Sequence, residues 1–278
     1  ILLKEGREKY ATAYKLWLAS VQTRMAFDRG VSALPSSQEK RKAMDGLGYV
    51  PMSIRNLCNA GLASCSECVP LWLLACKIEE SEVGIIRARS MLEVGRQRNS
   101  TSEALWHAAI ELELRAKNEQ AAESLMAKAL ESCPSSGLLA SKHIEMAPRG
   151  VRQSRALALL RSKRYDGSST VLAAVAKMLW SLGKGSKARS WFEKAVNANG
   201  DDGDVWVEYL SFEIHHGATE DQINKLVSRC IEAGPKHGSQ LWCPIAKRVG
   251  VRAPLLNVET IIREAAGLIV GPFEIKKK

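Results

Sequence analysis

The sequence predicts an all-α fold, an α-solenoid of antiparallel helix pairs of the HAT/TPR-like kind, and three observations carry that prediction. Trp72, Trp106, Ala140, Leu172, Trp206 and Trp242 stand 34, 34, 32, 34 and 36 residues apart. A second ladder of small residues, Ala88, Ala122, Ala156 and Ala188, follows 16 residues behind the first four marks. A third ladder of large residues, Leu92, Met126, Leu160 and Phe192, comes four residues later. A fixed period of this size means helix pairs that bury their apolar faces only by stacking on their neighbours. Such a chain works through its outer surface, so an active site is not expected.

The period divides residues 1–278 into one array with units at about 8–68, 69–100, 101–134, 135–165, 166–200, 201–234 and 235–270. In the first unit, Leu16 to Val21 reads as a first helix and Ile54 to Ala63 as its partner. Trp17 precedes Trp72 by 55 residues, and the excess maps to an insertion near 29–50, between Arg29 and Val50, which holds Gly30, Pro35, Gly46 and Gly48. Insertions in repeat arrays gather at one edge and often meet partners. In the next units, Trp72 to Glu79 precedes Ile86 to Leu92, and Trp106 to Glu113 precedes Ala121 to Leu130, halted at Cys133-Pro134. Ala140 stands where the plan wants tryptophan and Ala147 where it wants glutamate, so the 135–165 unit is expected to pack more loosely. Leu172 to Leu182 then precedes Lys187 to Ala195.

The 201–234 unit shows the plan most fully. Trp206, Tyr209, Leu210 and Glu213 share one helical face. Gly217 supplies a left-handed stop, Thr219 and Gln222 form a capping box, and Ile223, Leu226, Val227 and Cys230 form the stripe of the second helix. So short a link makes the two helices antiparallel. Leu255 to Val270 reads as a closing helix and Lys276 to Lys278 as a frayed tail. Trp72, Trp106, Trp206 and Trp242 are read as packing knobs rather than platforms for a base. The alanine ladder admits close helix approach.

Charge and cysteines narrow the classes. The formal net charge of +10 is concentrated in residues 140–200, which carry 12 basic and 3 acidic side chains. Arg149, Arg152, Arg155, Arg161, Lys163 and Arg164 form its densest run and are candidate contacts for RNA phosphate or an acidic partner. A solvated face is the plainer explanation. The basic end of the helix is also favoured by the helix dipole alone. Seven scattered cysteines suit a reducing compartment better than a disulfide framework. Cys65-x-x-Cys68 is a zinc half-site in spacing. A structural site needs four ligands, however, and no histidine lies between Ile1 and Trp106. The pair is therefore read as apolar filling, and no metal or other cofactor is expected. No run is long and apolar enough for a membrane span. Phosphate-binding and nucleophile-elbow motifs are missing too, so neither enzyme activity nor a small-molecule substrate is expected. The chain starts at Ile1 rather than methionine, which suggests a piece of something longer.

Trp206-x-x-Tyr209-x-x-Phe212-Glu213 resembles the first-helix motif of HAT repeats, and Ala188-Arg189-Ser190-Trp191-Phe192-Glu193 their second-helix motif. The runs Val69 to Leu74, Leu125 to Leu130, Cys133 to Gly137, Leu172 to Lys177, Lys187 to Phe192, Pro235 to Gly238 and Leu241 to Cys243 resemble, in order, the C-terminal array of the pre-mRNA-processing factor 6 family. That resemblance implies a nuclear, non-enzymatic scaffold that bridges the U5 and U4/U6 particles in the spliceosomal tri-snRNP. It implies processing factors 8 and 31 and the U5 helicase as partners, with small nuclear RNA touched little or indirectly. A HAT scaffold of another machine (mRNA 3′-end cleavage or rRNA processing) is the alternative. A direct RNA-binding module through residues 140–200 is the reading from a different class.

Overall fold

The structure is a computed structural model that describes residues 2–32, 53–165, 167–238, 240–246 and 257–275. Two compact units divide the chain, Ile1–Cys133 and Pro134–Lys278. Both are built from paired helices, as the ladders require. The insertion expected at 29–50 lies mostly outside the described residues, although the helix before it continues to Ser32 instead of ending at Arg29. The tail Lys276 to Lys278 also lies outside them.

The first unit holds α1 (Leu2–Lys9), α2 (Tyr14–Ser32), α3 (Ile54–Ser64), α4 (Val69–Glu82), α5 (Ile85–Arg98), α6 (Glu103–Arg115) and α7 (Glu119–Ser132). Each helix packs on the next, and the first helices α2, α4 and α6 also stack directly on one another. Starts are set locally: Ser53 and Asn118 cap α3 and α7, and Pro70 sits in the first turn of α4. Gly95 gives the Trp72 ring close approach, since a Cβ there would come within 3.2 Å of it. The unit's core joins Trp17, Leu57, Leu71, Trp72, Leu92 and Leu105.

The second unit holds α8 (Gly137–Met146), α9 (Arg149–Arg161), α10 (Ser169–Ser181), α11 (Gly185–Ala198), α12 (Gly203–His215), α13 (Glu220–Ala233), α14 (Trp242–Ala246) and α15 (Val258–Ala266). Here α8, α10 and α12 stack as first helices. The expected capping box is present, with Thr219 and Gln222 each bonded to the other's backbone, and Gly217 takes a left-handed φ of 71°.

One expectation needs correcting. The closing helix does not reach Val270: it stops at Ala266, and a small antiparallel hairpin of β1 (Ile269–Gly271) and β2 (Glu274–Ile275) follows. Pro272-Phe273 makes the turn, and Pro272 could not continue a helix. In the 135–165 unit Ala140, Ile144 and Ala147 are fully buried, whereas the second helix buries only Ala156, and Phe273 from the hairpin packs against the cluster that holds Ala140, Ile144 and Ala156.

Candidate functional site

The recurring tryptophan and glutamate are parts of one clamp. In each complete unit the indole N–H donates to the carbonyl six residues earlier: Trp17 to Ala11 (2.7 Å), Trp72 to Ser66 (2.7 Å), Trp106 to Ser100 (2.8 Å) and Trp206 to Gly200 (2.8 Å). The indole thus fixes the loop that delivers its own helix. The glutamate seven residues on is 2, 5 and 7% exposed at Glu79, Glu113 and Glu213. A carboxylate so buried needs a fixed partner. The preceding second helix supplies it, since Arg55, Arg89 and Arg189 each donate two parallel bonds to the glutamate 24 residues ahead. Each arginine is held above its ordinary value, first by that side-chain hydrogen bond.

These pairings engage all three glutamates in holding one helix on the next. They also account for the odd unit. Glu123 occupies the arginine place after Ala122, and the position 24 residues on is Ala147. Where the cation is missing, the buried anion is missing too.

In the second unit other charges act beside the Arg189–Glu213 clamp. Lys177 on α10 bonds Glu145 on α8 and Glu208 on α12, tying three first helices together. Burial alone would lower the Lys177 ammonium, but the two carboxylates outweigh it and hold it above the usual lysine value. Burial pushes Glu208 up to about 7, against the opposing pull of Lys177. On the second helices, Arg229 donates twice to Glu193 (2.9 Å each), which also accepts from the Tyr209 hydroxyl (2.6 Å). The Arg229 hydrogen bond lowers the Glu193 carboxyl, and burial raises the Tyr209 phenol.

The run from Pro235 to Trp242 docks on the loop before α12. Asp201 accepts from the Lys236 backbone N–H (2.8 Å), and Asp204 from those of Gln240, Leu241 and Trp242 (2.8–2.9 Å). Trp242 seats on Gly203, where a Cβ would come within 2.4 Å of the ring.

The six candidate basic residues do not form one patch. Arg149 and Arg161 are the two ends of a 13-residue helix, about 18 Å apart. Arg152 donates to the Ala147 and Glu145 carbonyls (3.1 and 3.2 Å) and lies 4.2 Å from the centre of the Phe273 ring. Arg155 donates to the His143 carbonyl (2.9 Å). Both therefore satisfy the open carbonyls at the end of α8. Reversing them to glutamate would unseat that helix end. Arg161, Lys163 and Arg164 are exposed at the far end, beside Tyr165, whose hydroxyl bonds the Pro134 carbonyl. They share that end with Asp202, which accepts from Ser169 at the start of α10.

Arg149 keeps different company. Its guanidinium meets the Ser181 carbonyl (3.4 Å) next to Trp180, a tryptophan outside the ladder. Trp180 packs against Phe212, His215 and His216, with ring centres 5.4–6.0 Å apart. The sequence signal for this group was Trp180 itself, a tryptophan outside the ladder that packs half-buried against the second unit's core.

Cys65 and Cys68 face a surface hollow of about 490 Å³ with Tyr14 and Pro70. Burial raises both thiols, Cys68 against a backbone bond that lowers it. Among the described residues no group of three or more His, Cys, Asp or Glu is placed to hold a metal ion, and no helix is long and apolar enough to cross a membrane.

No family model matches the chain. Pre-mRNA-splicing factor prp1 of Schizosaccharomyces pombe is 40% identical over 190 residues, 68% of this chain and 20% of its own length. Pre-mRNA-processing factor 6 of Homo sapiens is 37% identical over 125 residues, 45% of this chain and 13% of its own. Pre-mRNA-splicing factor 6 of Saccharomyces cerevisiae is 25% identical over 206 residues, 73% of this chain and 22% of its own. The chain spans about a fifth or less of the length of these relatives. A solved structure of Pseudomonas aeruginosa pilF shares a TM-score of 0.41 at 14% identity, covering 60% of this chain and 77% of that one, too slight a likeness to bear on function.

Proposed function

We propose that this chain, a repeat segment like those of the pre-mRNA-processing factor 6 proteins, is part of a non-enzymatic scaffold for pre-mRNA splicing in the nucleus. The observation that carries the reading is the 40% identity to a splicing factor across 190 residues of a clamped helical repeat. The repeat's buried glutamates, Glu79, Glu113 and Glu213, hold helices together and so stiffen the array. Each clamp fixes a first helix against its predecessor, and the exposed second helices and turns are left for contact.

In this reading the intact protein bridges the U5 and U4/U6 particles of the tri-snRNP. Its partners include processing factors 8 and 31 and the U5 helicase. Splicing is favoured over mRNA 3′-end cleavage or rRNA processing because the similar proteins are splicing factors by name. Arg161, Lys163 and Arg164, exposed beyond the end of α9, are the basic residues we assign to an acidic protein partner. A pull-down from nuclear extract with all three changed to glutamate tests the assignment. Recovery of tri-snRNP proteins should fall, and more so at low salt, because exposed charges act within a screening length of about 10 Å at 0.1 M. Unchanged recovery would refute it.

A further inference from the structure

The edge where α10 ends and α11 begins combines cations with exposed rings, and the scaffold reading does not use it. Trp180 is half-buried, while His215 and His216 are exposed at the end of α12. His215 Nδ1 is engaged by the Ser211 carbonyl (2.7 Å), and its Nε2 has no hydrogen bond among the described residues. His216 lies against Phe212, with ring centres 4.2 Å apart, and against Gly185, where a Cβ would come within 2.8 Å of its ring. The glycine therefore leaves room for the ring beside the α10–α11 turn. Lys184 and Lys187 flank Gly185 and are exposed, and Arg149 arrives from the start of α9 through the Ser181 carbonyl. The nearby cations Lys177 and Arg189 are neutralised by Glu145, Glu208 and Glu213. Among the described residues, Lys184, Lys187 and Arg149 have no such carboxylate. Glu220 and Asp221 stand one turn further along, at the start of α13, with Glu220 facing Arg263.

We propose that this edge binds single-stranded RNA, with bases stacking on Trp180, His215 and His216 and phosphates held by Arg149, Lys184 and Lys187. Rings set among flexible cations suit a strand whose every unit carries both a flat apolar face and a negative charge. An acidic peptide would use the charges and leave the rings idle. It is also held best by arginine forks, whereas two of the three cations here are lysines, which act as point charges. Duplex RNA hides its base faces, so an unpaired strand is the form that fits.

The test is fluorescence anisotropy of a labelled 12-nucleotide uridine RNA with the full chain at several salt concentrations. Circular dichroism of each variant checks that it is folded. The triple change Arg149→Ala, Lys184→Ala, Lys187→Ala should weaken binding at least tenfold at low salt. It should also flatten the log-affinity against log-salt slope by about 2, for three phosphates at about 0.7 each. His215→Ala with His216→Ala should weaken binding several-fold at every salt concentration with no change in slope. Arg161→Ala, Lys163→Ala and Arg164→Ala together should alter affinity less than twofold. The proposal is overturned if the chain does not bind the RNA. It is equally overturned if the Arg161 triple matches the Arg149 triple, if an abasic oligomer binds as well, or if a glutamate peptide of equal charge competes as well as RNA. Recovery of splicing proteins by the Arg149 triple reports on the scaffold separately, so the two readings can fail independently.

Discussion

Replacing Trp206 with alanine removes the indole that anchors the second unit. The ring is 3% exposed, lies in the cluster with Phe192, Leu210 and Trp242, and donates its N–H to the Gly200 carbonyl. Large-to-small changes at such a site cost about 3–5 kcal/mol, counting lost transfer energy and the cavity left behind. For a unit of this size 1 kcal/mol moves the melting temperature roughly 2–4 °C, so Trp206→Ala should melt about 6–20 °C lower. Trp206→Phe separates the parts. It keeps most of the apolar volume but leaves the Gly200 carbonyl without its donor, a loss of about 1–3 kcal/mol. Thermal melts followed by circular dichroism, with urea titration for the free energies, provide the assay. If Trp206→Ala melted within 2 °C of the parent, or if phenylalanine cost as much as alanine, the knob-and-anchor reasoning would be wrong.

Other consequences follow from the same contacts. A double-mutant cycle on Arg189→Ala and Glu213→Ala should give a coupling of about 1 kcal/mol, reduced from that of a fully buried pair because the Arg189 end reaches solvent; no coupling would deny the clamp. Glu208 keeps its proton up to about pH 7 in the fold against an ordinary 4.5. The folded chain therefore binds more protons in that window, and Glu208 lowers stability as pH rises through it. Glu208→Gln should flatten that fall in urea titrations between pH 4.5 and 7, and a steeper fall would contradict the assignment. Burial pushes the Cys58 and Cys230 thiols up to about 12 and Cys76 to about 11. Brief alkylation at pH 7 should leave these three unmodified by mass spectrometry, because the thiolate is the reactive form, while the less buried Cys243 reacts.

The ladders made most of the fold legible because stacking a repeat constrains the same few positions each time. Trp72, Ala88 and Leu92 could be placed from spacing alone. The clamp was also written in the sequence, as arginine and glutamate 24 residues apart at Arg55, Arg89 and Arg189. It passed unseen because the partners belong to successive units, and a reading confined to one helix pair treats the glutamate as mere repeat. Residues 149–164 misled for a similar reason. Adjacency in sequence suggested one basic patch, but a helix carries its ends apart and turns its middle arginines onto a neighbouring helix end. The hairpin after α15 was missed because apolar periodicity ran on into Leu268 and Val270 and outweighed the Gly271-Pro272 turn signal. Trp180 needed the fold, since nothing local says which rings will meet it.

Affinity purification of the intact protein from nuclear extract, with the bound proteins identified by mass spectrometry, tests the scaffold most directly. The account predicts stoichiometric recovery of U5 and U4/U6 particle proteins that survives nuclease treatment. Recovery of a complex without splicing components, or of the protein alone, would contradict it.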